Sequence, residues 1–169
     1  MTAFLGQLKT TNPAMAEKLS AAGGASGALS GSPKFVAAWK KLAKDEPQKF
    51  FEAQHDFVKK TLYEPQASAL KANLGIDVEK RSQAVKDVVW SISVQHGKTT
   101  EKIFQRALSG RAASQMSDRE LIQAVYAERS KVDKYFSRSS PAVRDAVKKR
   151  FNNEEADALQ MLGLPLTLP

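Results

Sequence analysis

The feature that most constrains this chain is the regular spacing of helix starts and stops. Asn12-Pro13, Ser32-Pro33 and Ser140-Pro141 each place a side-chain acceptor just before a proline. That pair opens a helix, because the acceptor satisfies a free N–H and proline lacks the one that would go unused. Ser117 with Glu120 spells a capping box, and Ser82 is a further cap. Gly75, Gly97, Gly110 and Gly163 stand where helical patterns stop. Between these marks apolar residues return at three- and four-residue steps, and no alternating run long enough for a strand occurs. The spacing predicts about eight or nine helices and an all-α fold, a compact irregular bundle. Residues 1–31 read as two short helices and a flexible Gly/Ser/Ala loop, "GGASGALSG". Residues 32–163 read as the main helical domain, and 164–169, "LPLTLP", as an extended apolar tail. The helix from Pro47 is expected to stop before Pro65.

Composition narrows the function classes. A chain of 169 residues that is 42% hydrophobic can bury a core. It has no Cys, hence no disulfide, thiolate nucleophile or cysteine metal site. With two His, a metal site would lean on carboxylates, so neither metal nor cofactor is expected. Metalloprotease, nucleotide-binding, nucleophile-elbow and calcium-loop motifs are all missing. No apolar run approaches the roughly 18 residues of a membrane span. The start, "MTAFLGQLKTTNP", lacks the basic and apolar regions of a signal peptide. The net charge of +8 favours anionic partners, such as cell-wall polymers or nucleic acid. The cations are scattered, which is also what solvated helix faces look like.

Several polar residues fall on apolar faces. Gln54 lies at i+4 from Phe50, and His55 at i+4 from Phe51. His96 continues the Val85, Val89, Ile92 stripe, where a helix C-terminus would favour a cationic imidazole. Glu128 lies inside the Leu121, Val125, Val132 stripe, where burial would raise its pKa. A buried network that fixes helix register explains such residues, and so does a cleft. Tyr63, at a helix exit, is a further cleft candidate. Trp39 and Trp90 read as core residues or as stacking platforms.

The segments "FVAAWKKLAKDEPQKFFEAQHDFVKKTLYEPQ", "GID", "RSQAVKDVVWSISVQHG" and "AVYAERS", within residues 33–162, resemble the C-terminal part of chitosanase-like glycoside hydrolases. That family belongs to the lysozyme superfamily, with relatives in phage lytic proteins and bacterial secreted effectors. The resemblance implies a helical lobe that hydrolyses or binds peptidoglycan or a related β-1,4 amino-sugar polymer. In that reading Gln54, His55, Tyr63, Gln95 and His96 contact substrate, and Glu128, from its place on an apolar face, is the candidate catalytic acid or a support behind it. It also implies an upstream acid in a Gly-Ser-Tyr segment, which this sequence does not contain. Three readings follow from that gap: part of a longer hydrolase, a catalytically silent structural or virion relative, or an enzyme using another acid. A basic nucleic-acid-binding domain is the rival outside the family. The expected location is a virion or the cell wall, reached without a classical signal, and otherwise the cytoplasm.

Overall fold

A computed structural model of the chain describes residues 1–163, so the tail expected at 164–169 lies outside the described residues. Among the described residues there is no strand, and the all-α expectation holds. The chain divides into two compact units, Met1–Thr61 and Leu62–Pro169.

The first unit contains α1 (Thr2–Thr11), α2 (Pro13–Ala21), α3 (Gly24–Leu29), α4 (Pro33–Asp45) and α5 (Pro47–Val58). The expected caps form: Asn12 accepts from Met15 N at 3.2 Å, and Ser32 from Phe35 N at 3.2 Å. The core is apolar throughout. Phe4, Leu8, Met15, Leu19, Leu42 and Phe50 are buried. Trp39 packs among them, its ring 4.7 Å from Phe50 and 5.9 Å from Phe35. The loop expected at "GGASGALSG" instead holds the short helix α3. Gly23, at φ 111°, makes the turn into it. Gly27 sits so close to its surroundings that a Cβ would lie 3.1 Å from the Ala22 carbonyl and 3.3 Å from Phe35 Cβ. Small residues here permit close packing, which local composition reads as flexibility.

The helix from Pro47 does not stop before Pro65. The backbone stays helical through Lys59–Tyr63, widened there to π geometry, and α6 (Glu64–Leu74) follows with Pro65 in its first turn. A first-turn proline gives up an N–H that has no helical partner, and the wider turn relieves the clash with preceding backbone.

The second unit continues with α7 (Gln83–His96), α8 (Thr100–Leu108), α9 (Asp118–Arg129), α10 (Val132–Tyr135) and α11 (Pro141–Met161). Helices α7, α9 and α11 pack on one another, α8 packs on α9, and α6 on α8. Val85, Val89, Ile92, Ile103, Phe104, Ile122, Val125 and Phe151 fill the centre. Arg81 and Asp118 tie the starts of α7 and α9 together. The Arg81 guanidinium donates to the Asp118 carboxylate at 2.9 Å and to the carbonyls of Met116 and Ala113 at 2.8 and 2.7 Å. The other Asp118 oxygen accepts from Ser82 N at 2.7 Å. Burial acts to raise the Asp118 pKa, but these donors hold it below its ordinary value. The capping box at Ser117 and Glu120 is complete.

Candidate functional site

The residues singled out from sequence fall in separate places. Gln54 and His55 belong to the first unit. Gln54 is half-buried and donates to the Phe50 carbonyl at 3.0 Å, so its amide is satisfied inside its own helix. His55 is not on a core face. The Phe51–His55 stripe faces outward, with Phe51 61% exposed, and the two rings stack at 5.9 Å. Helix α5 buries the neighbouring stripe through Phe50 instead.

Gln95 and His96 meet in the second unit near a residue that sequence reasoning missed, while the neighbouring Glu128 makes its bonds elsewhere. Arg129 has no exposed surface. One Nη donates to Glu154 at 3.1 Å and to Ser91 at 3.3 Å, and the other to the Gln95 carbonyl oxygen at 3.0 Å. Its guanidinium lies over the Phe151 ring, 4.0 Å from the centroid. Gln95 also accepts from Arg150, and Ser91 donates to Glu154 at 2.9 Å. The signal for Arg129 was its position at i+4 from Val125, which puts it on the buried face. Both Nη atoms meet acceptors and the plane meets an aromatic face, which offsets the cost of burying the charge, while Nε is left without a hydrogen-bond partner among the described residues.

His96 packs beside this cluster, with ring distances of 5.7 Å to Tyr135 and 5.8 Å to Phe136. The expectation of a cationic imidazole is reversed. Burial, then the charges of Arg129 and Arg150, push the His96 pKa down to about 4, so the ring is neutral near pH 7. The helix-terminus effect is too small to offset a low-dielectric site facing two guanidinium groups.

Glu128 is buried, as expected, and its carboxylate is ringed by donors. Tyr135 and Lys134 donate to its Oε1, both at 2.6 Å, and Lys131 to its Oε2. Burial acts to raise its pKa, but the donors from Lys131, Lys134 and Tyr135 outweigh it and hold the carboxyl down to about 2. An acid catalyst carries a proton at working pH, whereas these donors favour the ionised carboxylate. Its geometry is that of an anchor for two ammonium groups.

Tyr63 lies elsewhere in the same unit, on an open cleft of about 480 Å3. Glu64, Ser68, Lys71, Asp77, Glu79 and Lys80 also line it, with an apolar floor of Ala67 and Val78. The π turn delivers Tyr63 to this cleft, and wide turns of this kind recur at functional sites. The buried Tyr63 hydroxyl donates to Glu79 at 3.3 Å, and its ring lies 5.5 Å from Trp90. Burial, then Glu79, pushes the Tyr63 pKa up to about 12, so the phenol remains a hydrogen-bond donor. Asp77 is held below its ordinary pKa by Lys71, 2.9 Å away. The cleft offers carboxylate acceptors, hydroxyl and ammonium donors, and a small apolar wall. Its volume lies in the range of small-ligand sites. Glu64 and Glu79 drew no attention in the sequence, because both look like surface helix residues. Among the described residues no group of His, Cys, Asp or Glu is arranged to hold a metal ion. No helix of the described residues is long and apolar enough to cross a membrane.

Residues 1–155 match the model of the family described as type VI secretion system spike protein VgrG3-like, C-terminal. The chain is 34% identical over 136 residues to the type VI secretion system spike protein VgrG3 of Vibrio cholerae. That match takes in 80% of this chain and 13% of the relative, so the chain corresponds to a small part of a much longer protein. These findings overturn the chitosanase-like assignment, and with it the reading as a phage-type peptidoglycan hydrolase. The chain belongs to the VgrG3-like C-terminal family of type VI secretion system spike proteins.

Proposed function

We propose that this chain is an interaction module of a type VI secretion spike: a folded helical domain that functions with the spike and presents the Tyr63 cleft to a ligand. The observation that supports this most is the family match across residues 1–155, set beside a relative in which the matching stretch is 13% of the whole. The geometry agrees with a binding role. Glu128, the carboxylate first considered for catalysis, is locked as an anion by two lysines and a tyrosine. The cleft residues are set to hold hydrogen-bonding partners, with Tyr63 fixed as a donor and Glu79 as its acceptor.

The test is an exchange. The matching segment of the Vibrio cholerae spike protein is replaced by this chain, and spike protein in the culture medium is measured. The chimera is expected to be released at a level close to the unmodified spike. Folded chimera that stays in the cells while the parent is released would defeat the proposal. Tyr63→Ala in the chimera should leave release unchanged, because the cleft serves the ligand and not the carrier.

A further inference from the structure

Positive charge in this chain is concentrated in one corner. Residues 131–150 carry seven Lys and Arg against two Asp, a net +5 of the chain's +8. They form α10, the turn after it and the first half of α11, which pack together. Arg144 joins the parts: its Nε meets Asp133 at 3.0 Å, and its Nη1 donates to the Ser139 carbonyl at 2.7 Å. Lys131 and Lys134 are both held by the buried Glu128, so their ammonium groups are positioned and not free to scatter. Arg138, Lys148 and Lys149 are exposed and have no ion-pair partner among the described residues.

Helix stability does not account for this placement. Helix α11 has no acidic residue in its first turn and no basic residue in its last. Its four cations all occupy the N-terminal half, with Asp145 the one acid there, and its other acids, Glu154, Glu155 and Asp157, lie in the C-terminal half. The helix macrodipole favours the opposite order.

We propose that this corner is a docking surface for an acidic segment of a partner protein. The surface is mixed. The carboxylates of Asp133 and Asp145 interrupt the cations, Asp145 standing one turn before Lys148 and Lys149 on the same helix. A peptide can set separate acidic side chains against Arg138, Lys148 and Lys149 while avoiding the two carboxylates. A nucleic-acid backbone presents phosphates without interruption and would be repelled by the two aspartates. Buried Glu128 acts as a positioning residue, fixing two cations at the edge of the face. This surface is distinct from the Tyr63 cleft and does not rest on what the cleft binds.

The probe is a short, labelled oligoglutamate peptide, titrated against the full chain by fluorescence anisotropy in low salt. One variant combines Arg138→Glu, Lys148→Glu and Lys149→Glu. A control combines Lys44→Glu, Lys59→Glu and Lys60→Glu, exposed cations of the first unit, and changes net charge by the same amount. The corner variant is expected to lose affinity by about tenfold or more, and the control by less than about twofold, since exposed charges act over about 10 Å. Both variants should keep the helical circular dichroism and melting temperature of the parent. Equal losses in the two variants would show that only net charge matters and would overturn the proposal. No binding to the parent at low salt would also overturn it. Tighter binding of a short DNA duplex, lost in the corner variant, would assign the face to nucleic acid and reject the acidic-protein reading.

Discussion

The two units solve the same packing problem with different interiors. The first is closed by Phe4, Phe35, Trp39 and Phe50, with Phe50 edge to face on Trp39 and Phe4 and Phe35 tilted against it, and no ionisable group among them. The second buries a guanidinium at its centre and a carboxylate nearby. Apolar burial is nearly indifferent to pH and to the identity of the partner, provided volume is conserved. A buried charge demands particular acceptors, so it fixes which helices meet and in what register. In the second unit Arg129 on α9 finds Gln95 and Ser91 on α7 and Glu154 on α11, which prescribes how those three helices sit.

The sharpest way to separate the two interiors is to delete one centre in each. Each unit holds one of the two tryptophans, Trp39 and Trp90, so Trp90→Phe and Trp39→Phe backgrounds report each unit by fluorescence. Arg129→Ala is expected to cost about 3–5 kcal/mol, because it removes a fully buried side chain stacked on Phe151 and the guanidinium around which Glu154, Gln95 and Ser91 are arranged. Phe50→Ala is expected to cost a comparable 3–5 kcal/mol or so, from lost contacts and the cavity left behind. The rescue distinguishes them. Arg129→Met with Glu154→Leu should recover most of the Arg129→Ala loss, since replacing a buried pair by apolar groups is often neutral. A double variant as unstable as Arg129→Ala would show that the pair is worth more than its hydrophobic substitute.

The next contrast is with pH. His96 is neutral in the folded state, with its pKa pushed down to about 4 by burial and by Arg129 and Arg150. Stability from this group is complete above the ordinary histidine value near 6.5, and is lost as pH falls from there toward 4, because unfolding then takes up a proton. Glu128 adds a second window. Its pKa of about 2 lies below the ordinary 4.5, so its contribution is present above 4.5 and lost as pH falls toward 2. Both act in the same direction, one after the other. Melting followed at Trp90 should therefore decline as pH falls from 7 to 5, and His96→Phe should flatten that part of the curve. An unchanged decline in His96→Phe would place the titrating group elsewhere. The first unit has no counterpart; its Lys18–Glu46 and Lys41–Asp45 pairs lie at the surface.

What the sequence disclosed follows the same division. Signals confined to a few residues were legible: Ser32, Ser82, Ser117 and Ser140 each accept from the backbone N–H three residues on, and each opens a helix where expected. Signals that depend on packing were not. Helix α3 forms because Gly27 lets backbone approach closely, while composition says loop. Pro65 reads as a stop and is absorbed in a first turn after a wide one. Gln54 and His55 look alike on a helical wheel, and only the fold decides that one is half-buried and the other outside. Partners of Arg129 lie 25 to 38 residues away, so no local pattern announces them. Lys131 and Lys134 are different: they stand three and six residues after Glu128, and the depressed pKa was readable from "ERSKVDK".

The smallest expected effect concerns Gln54. If its amide served a polar network, Gln54→Leu would strand a partner and cost about 1–3 kcal/mol. The amide donates instead to the Phe50 carbonyl, already within reach of a helical N–H four residues later, so that acceptor keeps a partner when the side chain is gone. Leucine also has the higher helix propensity and can pack beside the first unit's aromatic cluster. Gln54→Leu should therefore shift stability by less than about 1 kcal/mol, in either direction, read at Trp39 in a urea titration. A larger loss would mean that the first unit, too, has a polar interior, and the contrast between the two units would narrow to the single guanidinium of Arg129.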